Sequence, residues 1–175
     1  MGCDKARLEW RGEAWSTRAA RMLARGFEDV LLVGGDPESG APGRRVADPP
    51  GPACALRGLV GALEAATSPR VLVIATDLPL LSMDLLLALT AWPERDAVVP
   101  TDSGGDHPLC AIYRREACLS IAATHLDAGR LSLRELLAEV DTDRVSLETL
   151  GLADLEPSPL VNVNTPAELA RLEAT

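Results

Sequence analysis

The feature that most restricts this chain is an alternation. Short, continuous aliphatic runs take turns with segments whose apolar residues recur at helical spacing. The runs are VLLV at 30–33, VLVIAT at 71–76, AVVP at 97–100, HPLCAIYR at 107–114 and LVNV at 160–163. A strand that is apolar at successive positions, rather than at every second one, is covered on both faces. Between the runs, STRAARMLARG at 16–26 offers a capping serine, a Leu/Met stripe and a closing glycine. ACALRGLVGALEAA at 53–66 is a helix with small residues on one side. Ser82 can cap a helix reaching residue 89, and another helix follows 114 as far as about 126. SLRE at 132–135 has the form of a capping box, and TPAE at 165–168 adds a first-turn proline to the same device. Residues 34–52, rich in Gly, Pro and Asp, read as one long loop. The pattern predicts an α/β sandwich: a mostly parallel sheet between two layers of helices. With 175 residues, no repeat and no internal linker, one domain over 1–175 is expected.

In open sheets of this kind ligands bind beyond the carboxyl ends of the strands. The residues just after each run are therefore the ones to weigh. Gly34, Gly35 and Asp36 follow the first run; Asp48 follows Val46 and Ala47; Asp77 follows Thr76; Asn162 and Asn164 stand at the last run. Asp77 is the sharpest of these. Leu78, Pro79, Leu80 and Leu81 restore apolar character at once, so a carboxylate stands at the rim between apolar neighbours. Such a group either shapes a turn and caps a helix, or binds a cation. A hard cation such as Mg²⁺ prefers carboxylate oxygens and commonly accompanies phosphates. Asp48, in DPPGP, reads equally as a turn residue. Asn162 and Asn164 lie two apart, so on a strand their side chains share a face. Lys5 is the single lysine among 17 basic residues, and a compact ammonium suits a phosphate as a point charge.

Charge and composition narrow the partners. A net charge of −9 with a pI near 4.7 argues against a general nucleic-acid binder, which usually shows a basic face. A small phosphate-bearing ligand remains compatible, given a metal ion or a few placed cations. No apolar run approaches the ~20 residues of a membrane span, and no basic segment leads into an apolar stretch at the start. The four cysteines form no C-x-x-C pair, and His107 with Cys110 is too small a ligand set for zinc. Reduced thiols in a cytoplasmic protein are expected.

These residues resemble the MobA-type NTP transferases. MGCDKARL at 1–8 is similar to the end of that family's nucleotide-binding motif, Arg-Met-Gly-x-Asp-Lys. VADPPGPACALRGL at 46–59 is similar to its Asp followed by a Gly-Pro helix start, and the segment around Asp77 to its Asp-x-Pro. HPLCAIYRREA at 107–117 and VNVNTPAELARL at 161–172 resemble its last two signatures. The resemblance implies a Rossmann-like fold of the nucleotide-diphospho-sugar transferase type. It implies transfer of GMP from GTP to the phosphate of molybdopterin, with Mg²⁺ and release of pyrophosphate. By position, Asp77 would be the Mg²⁺ ligand and, with Lys5, a catalytic residue. Lys5 would bind phosphate and Asp48 would contact GTP. Gly34 stands where some members carry a nucleotide-contacting asparagine. His107, Asn162 and Asn164 would lie close to substrate. A monomer is expected, with molybdoenzymes or their chaperones as recipients of the product. Two alternatives stand beside this. One is a CTP-using or other cofactor nucleotidyltransferase of the same family, and the other is a catalytically silent nucleotide-binding domain. The resemblance also implies a strand and a Leu-Ala-Gly-Gly loop ahead of Met1, so the natural protein is expected to start further upstream.

Overall fold

In the computed structural model of the chain, residues 9–10, 13–35, 40–163 and 168 are described. A two-residue pairing of β1 (Glu9–Trp10) with β2 (Glu13–Ala14) leads into α1 (Trp15–Gly26). Then come β3 (Leu31–Val33), β4 (Arg44–Val46), α2 (Ala55–Ala65), β5 (Arg70–Ile74) and α3 (Met83–Ala91). β6 (Ala97–Asp102), β7 (Gly105–Asp106), β8 (Cys110–Arg114), α4 (Arg115–Asp127), α5 (Leu133–Glu139) and β9 (Thr142–Ser146) complete the order.

The principal strands run parallel, with one reversal. β8 lies between β5 and β6 and is antiparallel to both, so β5 and β6 point the same way. β9 pairs parallel with β6, Ala97 to Thr142 through Thr101 to Ser146. β3 and β4 form a separate parallel pair, Leu31 to Arg44 through Val33 to Val46. Side chains alternate across the larger sheet as the pleat requires. Ala97, Val99, Ala111 and Tyr113 pack under α2, α4 and α5. Val98, Cys110 and Ile112 pack on the opposite face, against Leu85, Leu86 and Leu89 of α3. With α1 on that second side through Met22 and Leu23, this is the expected three-layer α/β sandwich.

Several local readings change. Ser16 is not the cap of α1 but a buried residue in its first turn; Ala14 holds the cap position without a side-chain bond. Helix entry there is fixed by burying Trp15, 2% exposed, rather than by a hydroxyl. Ser82 does cap α3, its Oγ accepting the Leu85 N–H at 3.3 Å. Ser132 starts α5 without a side-chain bond. The long loop contains β4, hidden from pattern reading because two of its three residues are exposed arginines. Leu160 to Val163 form a turn and an irregular stretch, not a strand. Leu160 and Val163 are buried at 1% each, which explains their apolar character without any ladder. Among the described residues the last strand is instead β9, whose sequence TDRVS carries little apolar signal.

Candidate functional site

Because β5 and β6 are parallel and β8 is reversed, the ends of β5 and β6 and the start of β8 share one rim. Asp77 and His107 both lie toward that rim. The last bond on that side runs from the Ala75 N–H to the Leu109 carbonyl at 2.6 Å, two residues from each of them. Asp77 is half-buried beside Leu78 and Leu81, which are 9% and 8% exposed. Its carbonyl accepts the Val163 N–H at 3.0 Å. That bond brings the exposed Asn162 to the same rim.

His107 is held on several sides. Its N–H donates to the Pro100 carbonyl at 3.0 Å, and its own carbonyl accepts the Cys110 N–H at 2.9 Å. The buried Tyr113 hydroxyl donates to the Pro108 carbonyl at 2.7 Å and ties the segment to the core. His107 Nε2 lies 2.9 Å from Asp102 Oδ1, which also accepts the Gly104 N–H at 2.7 Å. Partial burial works against the Asp102 charge, but the adjacent His107 ring and the turn's backbone N–H groups prevail and hold its carboxyl below the usual aspartate range. The sequence held a signal for this pair that was not used. Asp102 and His107 flank Ser-Gly-Gly-Asp, a tight β6–β7 turn that sets the two side by side.

A second cluster forms beyond β3 and β4. Gly34 has φ +67°, and a Cβ there would lie 2.8 Å from both carboxylate oxygens of Asp48. Only glycine admits that approach at that backbone angle. Asp48 Oδ2 in turn accepts from Arg57 Nη2 at 2.8 Å, and Arg57 Nη1 donates to the Gly51 carbonyl at 2.9 Å. Arg57 was not singled out by sequence reasoning. It sits in the first turn of α2, which aims it back over the DPPGP turn. Gly34 and Asp77 both border one elongated, largely apolar cleft of about 820 Å³. Lys5 and Asn164 lie outside the described residues.

A metal ion at this rim could take the half-buried Asp77; Asp102, also half-buried on that side, is engaged by His107 and the Gly104 N–H. Among the described residues no three His, Cys, Asp or Glu side chains gather to form a protein-built cage. A site with few protein carboxylates suits Mg²⁺, which keeps waters and takes its other ligands from substrate phosphates. Cys110 and Cys118 are not nucleophiles: burial pushes both thiols up to about 12. No described helix is long and apolar enough to cross a membrane.

Comparison with known proteins bears on this rim. A family model described as MobA-like NTP transferase domain matches residues 1–145. A probable molybdenum cofactor guanylyltransferase of Chloroflexus aggregans is 32% identical over 183 residues, covering 99% of this chain and 88% of that protein. A protein of the same description from Pelotomaculum thermopropionicum is 33% identical over 178 residues, covering 98% and 84%. Among solved structures, molybdopterin-guanine dinucleotide biosynthesis protein A from Archaeoglobus fulgidus superposes with a TM-score of 0.81 at 22% identity, covering 99% of this chain and 90% of that one.

Proposed function

Since the chain belongs to the MobA-like NTP transferase family and is a nucleotidyltransferase, we propose that it transfers GMP from GTP to the phosphate of molybdopterin. The observation that carries most weight is Asp77, a half-buried carboxylate just past the end of β5, bonded through its carbonyl to Val163 next to Asn162 and lining a large cleft.

The acceptor is a phosphate, so the nucleophile is already anionic and needs no strong base. Its oxygen forms a bond to the α-phosphorus of GTP, the bond from that phosphorus to the bridging oxygen breaks, and pyrophosphate leaves with the electron pair. The demand on the protein is in-line positioning and offset of charge. Asp77 would hold Mg²⁺, which when bound neutralises phosphate oxygens and the charge growing on pyrophosphate. Lys5 would add a second positive centre from the N-terminal segment. Gly34 leaves room for a nucleotide to approach the backbone, and Arg57 keeps the neighbouring Asp48 carboxylate in one place. The His107 ring, fixed by Asp102 and the Tyr113 tether, would border the phosphates or the acceptor. Asn162, next to the residue bonded to Asp77, would supply an amide donor there, and by the resemblance so would Asn164.

The test is pyrophosphate release with each of the four nucleoside triphosphates, Mg²⁺ and molybdopterin. Release with GTP well above the others is expected. Faster release with CTP would make the protein a cytidylyltransferase of the same family. Release with none of them would favour a silent nucleotide-binding domain.

A further inference from the structure

The polar groups of the rim fall on two sides of Asp77. Gly34 and Asp48 follow β3 and β4 on one side, with Arg57 of α2 bonded to Asp48. On the other side β8 pairs with β5, and β6 with β8. The end of β6 therefore stands two strand spacings, about 10 Å, from the end of β5. There the β6–β7 turn carries Asp102 and Asp106, followed by His107. Both carboxylates are matched. Arg144 Nε donates to Asp106 Oδ2 at 2.9 Å, and Asp102 has the His107 ring and the Gly104 N–H. An anion arriving beside His107 thus meets neither carboxylate unopposed. The two ring nitrogens differ. Nε2 is sealed from solvent, with Asp102 Oδ1 2.9 Å away and off the ideal hydrogen-bond axis. Nδ1 has no hydrogen-bonding partner among the described residues, and the side chain is 19% exposed. A carboxylate beside one ring nitrogen sets where the hydrogen sits. With the hydrogen on Nε2, the nitrogen offered to a ligand is Nδ1.

We propose that His107 Nδ1 contacts the phosphate group of the acceptor, and that Asp102 is the positioning residue that holds the ring for it. This rests on the transfer reaction proposed above and gives this side of the rim to a phosphate monoester, not to the nucleoside triphosphate. The chemistry of the contact fits. A phosphate monoester loses its second proton at about pH 6, so near neutrality one form carries a hydrogen and the other does not. An imidazole nitrogen serves both, accepting the hydrogen of the first or donating its own to the second. The side fits as well. In-line transfer puts the entering and leaving oxygens on opposite sides of the α-phosphorus. Asp77 stands between the glycine-lined side and the histidine side. The pair is also held at both ends. The His107 N–H donates to the Pro100 carbonyl at 3.0 Å, the Tyr113 hydroxyl donates to the Pro108 carbonyl at 2.7 Å, and the Gly104 N–H holds Asp102 Oδ1 at 2.7 Å. The bonds made and broken remain those of the transfer itself; the pair sets where the acceptor oxygen waits.

The experiment measures transfer by the parent, Asp102→Asn, His107→Ala and the double variant, varying GTP and molybdopterin separately. Asparagine keeps an oxygen for the Gly104 N–H, so the turn is retained while the charge is lost. Asp102→Asn is expected to raise the KM for molybdopterin on the order of tenfold, as when a partner that orients a ligand-binding histidine is lost. His107→Ala should raise it at least as much, and both should leave the KM for GTP at the parental value. The double variant should be no worse than His107→Ala, because Asp102 acts through the ring. A KM for GTP that rises with the other, an unchanged KM for molybdopterin in His107→Ala, or effects that multiply in the double variant would each overturn the proposal. A second readout needs no turnover. With ¹⁵N in the histidine rings, methyl phosphate should move the His107 Nδ1 resonance in the parent and less in Asp102→Asn, with the fully buried His125 as reference. An Nδ1 resonance indifferent to methyl phosphate, or a neutral ring with its hydrogen on Nδ1, overturns the proposal. Absence of transfer with every nucleotide while Nδ1 still responds would count against the proposed reaction and leave the phosphate contact standing.

Discussion

Asp77 and Gly34 serve the rim by opposite means, one through its charge and the other through having no side chain. Asp77→Asn keeps the backbone carbonyl that receives the Val163 N–H, so the variant is expected to fold and melt close to the parent. Its Mg²⁺-dependent transfer rate should fall on the order of 10²-fold or more, as when one charge-stabilising group is lost. Near-parental rates in a folded variant would remove Asp77 from the chemistry. Gly34→Ala meets two obstacles, a positive φ and the Asp48 carboxylate oxygens 2.8 Å from the new methyl. A left-handed conformation costs a non-glycine residue about 1–2 kcal/mol, so a lower urea midpoint is expected. An unchanged midpoint would mean that the turn can relax. At this scale Asp77 and Asp48 could be picked out as carboxylates just after apolar runs, whereas His107 entered only through the family resemblance. The partners Arg57 and Asp102 were not singled out, because a surface arginine or a turn aspartate gains meaning only from what the fold sets beside it.

The elements that could be read from the sequence are those whose burial shows in their composition. β5, β6 and β8 are aliphatic because helices lie on both sides, and α3 shows both its cap and its leucines. β4 and β9 were missed because a short strand with exposed Arg or Thr positions is held by its ladder, which leaves no hydrophobic trace. LVNV misled in the reverse direction: deep burial in an irregular segment imitates a strand. The reversal of β8 was equally invisible, since an apolar run has no direction. Packing between elements gives its own prediction at Gly61 of α2. A Cβ there would lie 3.0 Å from Pro49 and 3.1 Å from Val33. Gly61→Val should push α2 away from β3 and lower stability by roughly 1–3 kcal/mol, the usual range for overpacking, read from the urea midpoint. A variant as stable as the parent would show that α2 can shift freely over β3.

For the whole molecule, acid is a direct probe of how the rim is held. The Asp102 carboxyl sits below its usual value of 3.8 in the folded protein. A depressed carboxylate contributes stability above its unfolded pKa and loses it as pH falls through the folded one. The stability gap between the parent and Asp102→Asn should therefore be open from about pH 5 to 7 and close below about pH 4. A gap that persists unchanged at pH 3 would mean that the aspartate acts through shape and not through charge. The reversed position of β8 has another consequence, for the order in which the molecule can be made. β5 is made first and β6 next, and the strand that separates them is made last of the three. At synthesis rates of about 5–20 residues per second the nascent chain waits roughly a few seconds between Ile74 and Cys110. Throughout that interval β5, joined by β6 only near its end, has no β8 to pair with. A chain ended after Asp106 is accordingly expected to aggregate or to bind chaperones. One ended after Ser146, with β8 and β9 both emerged, should remain in solution and unfold cooperatively in urea. Equal solubility of the two fragments would show that this sheet closes by some other route.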